Sequence, residues 1–132
     1  MWSDPHSGLY RGVFAAAALY NVVWGVFVIL FPLAPFRWAG MEPPNYPQLW
    51  QCIGMFVLVF AIGYVCLAMD PIRYAPFALI ATLGKVFGPI GWLWGYLRGE
   101  LPLVSGLTIL TNDLIWWPFF VPFLVMVYWR QR

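Results

Sequence analysis

Four long apolar segments constrain this chain more than any other feature of its sequence. They cover residues 10–33, 48–69, 75–97 and 103–129. Each is long enough to cross a hydrocarbon core about 30 Å thick as an α-helix. Hydrophobic residues make up 63% of the 132 residues and charged residues only 9%, which excludes a soluble globular domain. Because the last two connections are very short, we predict an all-α fold, a single-domain, up-down bundle of four transmembrane helices.

The arginine residues indicate an orientation for these segments. Four crossings place both termini on one side of the bilayer, and that side carries four arginines against two on the other. The first group is Arg11, Arg73, Arg130 and Arg132, and the second is Arg37 and Arg98. Since basic loops are retained in the cytoplasm, we expect both termini to be cytoplasmic and the protein to lie in the bacterial inner membrane. The first segment lacks a cleavage site and should remain as an anchor.

Several other classes of site and partner lack support in the sequence. The formal net charge of +2 comes from scattered residues, so we expect no nucleic-acid partner. Cys52 and Cys66 both fall in the second segment, without a CxxC motif or a His/Cys cluster. We interpret them as two buried, inert thiols, and we predict neither a metal site nor a cofactor.

Two charged residues lie deep inside the third and fourth segments. Lys85 is ten residues in from Ala75, and Asp113 is ten residues in from Leu103. At about 1.5 Å per residue each lies roughly 15 Å deep, near the bilayer centre. A charge stranded at that depth costs at least about 2.5–3.5 kcal/mol. We therefore expect Lys85 and Asp113 to be buried, to face the protein interior and to form a direct or water-bridged pair.

The third segment has a helical pattern that orients its faces. Small residues recur at helical spacing and predict a stripe buried against a neighbouring helix. These residues are Gly84, Gly88, Gly91 and Gly95. Large apolar residues cover the opposite side, which we expect to face lipid: Leu79, Leu83, Phe87, Ile90, Trp94 and Leu97.

Each of the two charged helices has a proline soon after its charge. A proline inside a helix removes the N–H that would donate to the carbonyl four residues back. Pro89 therefore leaves the carbonyl of Lys85 without its helical donor, and Pro118 does the same to Leu114. We expect both helices to be loosened beside their charges, either around a functional cavity or as kinks for packing.

Several short motifs carry a resemblance to a known family. They are LWQCIGM at 49–55, GY at 63–64 with DP at 70–71, LGKVFGPIG at 83–91, RGELP at 98–102 and LTNDLIWWPF at 110–119. With them, nearly the whole chain resembles a family of small bacterial four-helix integral membrane proteins that are DoxX-like in size and layout. The resemblance implies the fold and the membrane location. Such sequences are sometimes labelled alkyl hydroperoxide reductase, but neither cysteine here is accompanied by a base.

Three functions fit these features. The first is a binding module in which a polar cluster holds the head group of a lipophilic molecule such as a quinone, an isoprenoid or a lipid. This cluster comprises Lys85, Asp113, Asn112, Asn21, Trp92, Tyr96, Trp116 and Trp117. The second is a structural or accessory subunit, in which the charged pair only fixes helix register. The third is an intramembrane enzyme with Lys85 and Asp113 as catalytic residues.

Two features leave alternatives open. Asn21 lies at nearly the depth of Lys85 and could bond to the charged pair, or it could make an interhelical hydrogen bond without a chemical role. Besides the lipid bilayer and a lipophilic small molecule, we expect as partners either further copies of the chain in a homo-oligomer or other subunits of a membrane complex.

Overall fold

The computed structural model describes residues 4–130, which are largely helical and contain no strand. Its helices are α1 (Ser7–Leu30), α2 (Ala34–Trp38), α3 (Pro47–Met69), α4 (Ala75–Leu97), α5 (Gly106–Asn112) and α6 (Trp117–Val125). Two 3₁₀ turns, Leu103–Ser105 and Leu114–Trp116, and a π turn, Met126–Arg130, complete the last part of the chain.

Four helical spans are long and apolar enough to cross a membrane. They are Ser7–Leu30, Pro47–Met69, Ala75–Leu97 and Leu103–Arg130. The predicted all-α class with four transmembrane helices is confirmed, and the chain is an integral membrane protein. The chain divides into two compact units, Met1–Tyr74 and Ala75–Arg132.

In the first unit, α1 and α3 approach closely where two glycines meet. A Cβ atom added to Gly25 would lie 2.7 Å from the carbonyl oxygen of Gly54, and one added to Gly54 would lie 2.9 Å from the side chain of Val28. Real Cβ atoms essentially never come this close to other atoms. Glycine at both positions is therefore what lets the two backbones pack together.

Two side-chain hydrogen bonds fix the direction of this helix pair. Asn21 Nδ2 donates to the carbonyl oxygen of Val57 at 3.0 Å, and Gln51 Nε2 donates to that of Ile29 at 2.9 Å. From Asn21 to Ile29 the residue number rises along α1, while that of the bonded residue in α3 falls from Val57 to Gln51. The two helices are therefore antiparallel.

In the second unit, α4 packs against the pieces of the fourth span. The chain reverses at Gly99, whose φ of 75° lies in the left-handed region that favours glycine. Near this turn Trp92 Nε1 donates to Ser105 Oγ at 2.8 Å, and farther from it Lys85 Nζ donates to the carbonyl oxygen of Asn112. These contacts make α4 and the fourth span antiparallel.

The fourth span is not one continuous helix, because α5 ends at Asn112. Asp113 has φ −123° and ψ −62°, outside the helical region, and a 3₁₀ turn separates it from α6. The prediction of a helix loosened beside its charge is confirmed for Asp113. By contrast, α4 runs through Pro89 as a single helix, so the prediction was wrong for the helix of Lys85.

The predicted outer face of α4 is exposed, as expected for a surface in contact with lipid. All six of its large apolar residues are exposed: Leu79, Leu83, Phe87, Ile90, Trp94 and Leu97. The glycine stripe is only partly buried. Gly88 lies against Asp113 and Gly95 against Leu101, but Gly84 and Gly91 are exposed. The prediction was wrong for these two glycines, since the fourth span breaks at Asp113 and does not follow α4 as one straight neighbour.

The two cysteines are not buried, contrary to the prediction. Cys52 is exposed and Cys66 is half-buried, and both are free thiols. The buried face of α3 follows Gly54, Ala61 and Tyr64. Because Cys52 lies two residues before Gly54, it points away from that face.

Candidate functional site

The Lys85 ammonium is the centre of the candidate site, which lies within the second unit. Lys85 Nζ donates a hydrogen bond to the main-chain carbonyl oxygen of Asn112 at 2.5 Å. The same nitrogen lies 5.8 Å from the centroid of the Trp116 ring and 5.6 Å from that of Phe120. Both distances are within the range of cation–π attraction. The ammonium is therefore held by one carbonyl and two aromatic rings of the fourth span.

The break at Asp113 is what makes the Asn112 carbonyl available. In a continuous helix this oxygen would accept from the N–H of Trp116, four residues later. That N–H donates instead to the carbonyl oxygen of Asp113, at 3.2 Å. The indole Nε1 of Trp116 donates to the carbonyl oxygen of Thr111 at 2.9 Å. The side chains of Lys85 and Trp116 thus bond to two carbonyls at the end of α5.

The carbonyl of Lys85 is itself part of the site. Pro89 has no N–H to donate to it, as the sequence predicts. Trp117 Nε1 donates to this oxygen at 3.0 Å. Lys85 is therefore bound to the fourth span through both its side chain and its main chain, on either side of Asp113.

Asp113 lies beside Lys85 without forming an ion pair with it. Ion pairs within 4 Å in residues 4–130 join His6 to Asp4 and Arg98 to Glu100, and none joins Lys85 to Asp113. The predicted pair was direct or water-bridged, and of these the direct form is not observed, since the ammonium donates to the Asn112 carbonyl at the end of α5 instead. A water-bridged pair stays a prediction.

The surroundings of the Asp113 carboxylate include a glycine of α4. A Cβ atom added to Gly88 would lie 2.8 Å from Asp113 Oδ2. Asp113 and Lys85 are both half-buried, so the expectation of full burial was wrong. Because Gly88 has no side chain that would cover it, the Asp113 carboxylate stays partly exposed.

Trp92 and Tyr96 form a separate aromatic pair nearer the turn. Their rings stack with centroids 5.1 Å apart and an interplanar angle of 7°. Besides its bond to Ser105, the Trp92 ring packs against Gly106, where an added Cβ atom would lie 2.9 Å from it. Trp92 is seven residues from Lys85, or about 10 Å along α4. The structure therefore places this pair beside the start of the fourth span and two turns from the ammonium.

Asn21 belongs to the first unit, where its amide donates to the carbonyl of Val57. This is the interhelical hydrogen bond that the sequence analysis gave as one of two alternatives. The structure thus shows a structural contact for Asn21.

Two features of the site were missed by the sequence analysis. Phe120, whose ring centroid lies 5.6 Å from the Lys85 ammonium, follows Asp113 by seven residues, a spacing that would put both residues on one side of a continuous helix. That spacing could have identified it. The Asn112 carbonyl is a main-chain group, and the identity of a residue does not indicate such a role.

Within residues 4–130, no three His, Cys, Asp or Glu side chains come together as a metal site.

The arrangement leaves hydrogen-bonding capacity on both charged groups. An ammonium has three N–H donors, and that of Lys85 makes one hydrogen bond to the described residues. A carboxylate is an acceptor, and that of Asp113 receives no hydrogen bond from a described residue. A donor and an acceptor are therefore open beside each other, next to aromatic rings.

Comparison with protein-family models, curated proteins and solved structures finds no match for the chain. The resemblance to the DoxX-like family therefore stays a prediction.

Proposed function

We propose that this integral membrane protein binds the polar head group of a lipophilic molecule at Lys85 and Asp113. The observation that carries the proposal is the hydrogen bond of the Lys85 ammonium to the Asn112 carbonyl, with no ion pair to Asp113 within 4 Å in residues 4–130. Hydrogen-bonding groups that are left unsatisfied are expensive inside a bilayer. A head group that bonds to both side chains would remove that expense.

The aromatic residues beside the ammonium support a lipophilic ligand. Trp116 and Phe120 are both buried and lie on the fourth span next to the two charges. Binding sites for small molecules combine such apolar walls with a few polar groups that fix the orientation of the ligand. The polar head would meet Lys85 and Asp113 at their exposed side, and the two buried rings would form the apolar wall behind the ammonium.

A purely structural role for the two charges fits the geometry less well. Charges that serve only to fix helix register gain most from pairing directly with each other, because an unpartnered buried charge is destabilising. Lys85 and Asp113 are half-buried and do not pair in this way. The open donor and acceptor favour binding over register.

We further propose that the protein lies in the bacterial inner membrane with both termini in the cytoplasm. The support is the arginine distribution, four on the side of the termini and two on the other.

Native mass spectrometry of gently extracted full-length protein tests the binding proposal. We expect the parent to retain a lipophilic molecule, and Lys85→Met to lose it while keeping its helix content by circular dichroism. Glu100→Gln is the control, since Glu100 is exposed and paired with Arg98 at the turn. It should retain the molecule. Equal retention by the parent and Lys85→Met would contradict the proposal.

A further inference from the structure

We infer that the site takes an electrically neutral head group that bears a hydroxyl, so that the ligand is a lipophilic alcohol and not an anionic lipid. The inference rests on the proposed function and specifies the class of molecule that it binds. Three properties of the site carry it: its net charge, its pair of open hydrogen-bonding groups and its aromatic surroundings.

The charge of the site favours a neutral head group. Lys85 and Asp113 together carry no net charge, and this sum is unchanged if a proton passes from one to the other. The other charged residues of the second unit that the structure describes lie at or beyond helix ends: Arg98, Glu100 and Arg130. An anionic head group would be attracted by Lys85 but repelled by Asp113. It would also bring an uncompensated charge into the membrane interior.

The two open groups favour a hydroxyl over other neutral head groups. The Lys85 ammonium can only donate, and the ionised Asp113 carboxylate can only accept. A carbonyl or an ether oxygen would satisfy Lys85 and leave Asp113 without a donor. A hydroxyl accepts and donates through one oxygen, and it can therefore bond to both groups at once.

The carboxylate lies in the same part of the helix pair as the ammonium. Asp113 directly follows Asn112, whose carbonyl holds the ammonium, and its Oδ2 lies against Gly88, three residues after Lys85 on α4. Both groups are thus on adjoining turns of the same helix pair. In this proposal one head group spans the two, and the rings of Trp116 and Phe120 adjoin the ammonium.

Three probes with the same tail test this inference. They are farnesol, which can donate and accept, farnesyl methyl ether, which can only accept, and farnesyl phosphate, which is anionic. Their binding to full-length protein in phosphatidylcholine nanodiscs can be followed by tryptophan fluorescence, because Trp116 and Trp117 adjoin Lys85. One lost hydrogen bond to a charged group corresponds to about tenfold or more in affinity. We expect farnesol to bind tighter than either other probe by at least that factor.

A charge change at Asp113 should reverse the preference for a neutral probe. Asp113→Asn gives the site one net positive charge, so farnesyl phosphate should become the tightest ligand. Glu100→Gln is the matched control, because it makes the same chemical change at the exposed turn. It should keep the order of the parent. If Asp113→Asn does not fold, the three probes with the parent protein decide the question alone.

The outcomes separate this inference from the proposed function. Farnesyl phosphate binding to the parent at least as tightly as farnesol, with loss of that binding in Lys85→Met, would overturn the neutral head group but keep the site. An unchanged order of probes in a folded Asp113→Asn variant would also overturn the inference. No binding of any of the three probes to the parent would overturn both proposals.

Discussion

The hydrogen bond from Trp117 to the carbonyl of Lys85 can be tested through the proline that makes it necessary. Trp117→Phe removes the indole N–H and leaves this carbonyl without a donor, because Pro89 supplies none. Interhelical hydrogen bonds in membrane proteins are worth about 0.6 kcal/mol on average and about 1.7 kcal/mol at most. Since Trp117 and Lys85 are half-buried, we expect the variant to lose about 1 kcal/mol of unfolding free energy, within that range.

Trp117→Phe should lower the unfolding free energy much less when Pro89 is replaced by alanine. Pro89→Ala introduces a main-chain N–H four residues after Lys85, which can donate to the Lys85 carbonyl within α4. The indole N–H is then redundant. A double-mutant cycle of the two substitutions should give a coupling energy of about 1 kcal/mol, above the roughly 0.3–0.5 kcal/mol by which independent sites deviate from additivity. The cycle also cancels the packing change from Trp to Phe.

Equilibrium unfolding in mixed detergent micelles, followed by circular dichroism, measures all four free energies. Trp129→Phe is the control, because Trp129 is exposed and the chemical change is the same. Trp129→Phe should change the unfolding free energy by the same amount with and without Pro89→Ala. Equal losses for Trp117→Phe with and without Pro89→Ala would refute the argument that the proline makes this hydrogen bond necessary.

Three further predictions concern the same helix pair and the membrane topology. Gly91→Ala, whose Cβ atom meets nothing within 4 Å, should raise the unfolding free energy by up to about 1 kcal/mol, whereas Gly88→Ala should raise it less because its Cβ atom displaces the Asp113 carboxylate; equal effects in the micelle assay would contradict this. Lys85 and Asp113 attract each other electrostatically without forming an ion pair, so Lys85→Met and Asp113→Leu should each destabilise the protein by leaving one charge uncompensated. The double variant should regain much of the loss, and strictly additive losses would contradict this coupling. A reporter fused to the C-terminus should be active only in the cytoplasm, and activity only outside it would overturn the orientation.

The sequence contains enough information to predict the four spans and the level of the polar site. Length and apolar composition alone identify the spans, because each segment has the length and the apolar content that a helix needs to cross the hydrocarbon core. Counting from the ends of two antiparallel helices places Lys85 level with Asp113, and in the structure Lys85 bonds to the carbonyl of Asn112, the residue before Asp113. The effect of Pro89 follows from its missing N–H.

The hydrogen-bond partners within the site could not be predicted in the same way. Equal depth in the membrane predicts that two residues lie level. It does not determine whether the Lys85 ammonium donates to a carboxylate or to a main-chain carbonyl. That choice follows from the break at Asp113, where the indole of Trp116 and the ammonium of Lys85 bond to carbonyls of α5. Such a break depends on contacts between helices, and a single-helix pattern does not contain them.

The central claim is that the Lys85 ammonium keeps donors for a ligand from the membrane, and magnetic resonance of that nitrogen tests it most directly. Lys85 is the only lysine in the sequence, so ¹⁵N-labelled lysine gives a single ammonium signal. In native lipid nanodiscs, we expect this ammonium to show a close contact with the Asn112 carbonyl carbon and further contacts with a molecule that is not a bulk lipid. The second set should vanish after exchange into pure phosphatidylcholine. A signal unchanged by this exchange, with the Asp113 carboxyl carbon as its closest contact, would contradict the claim.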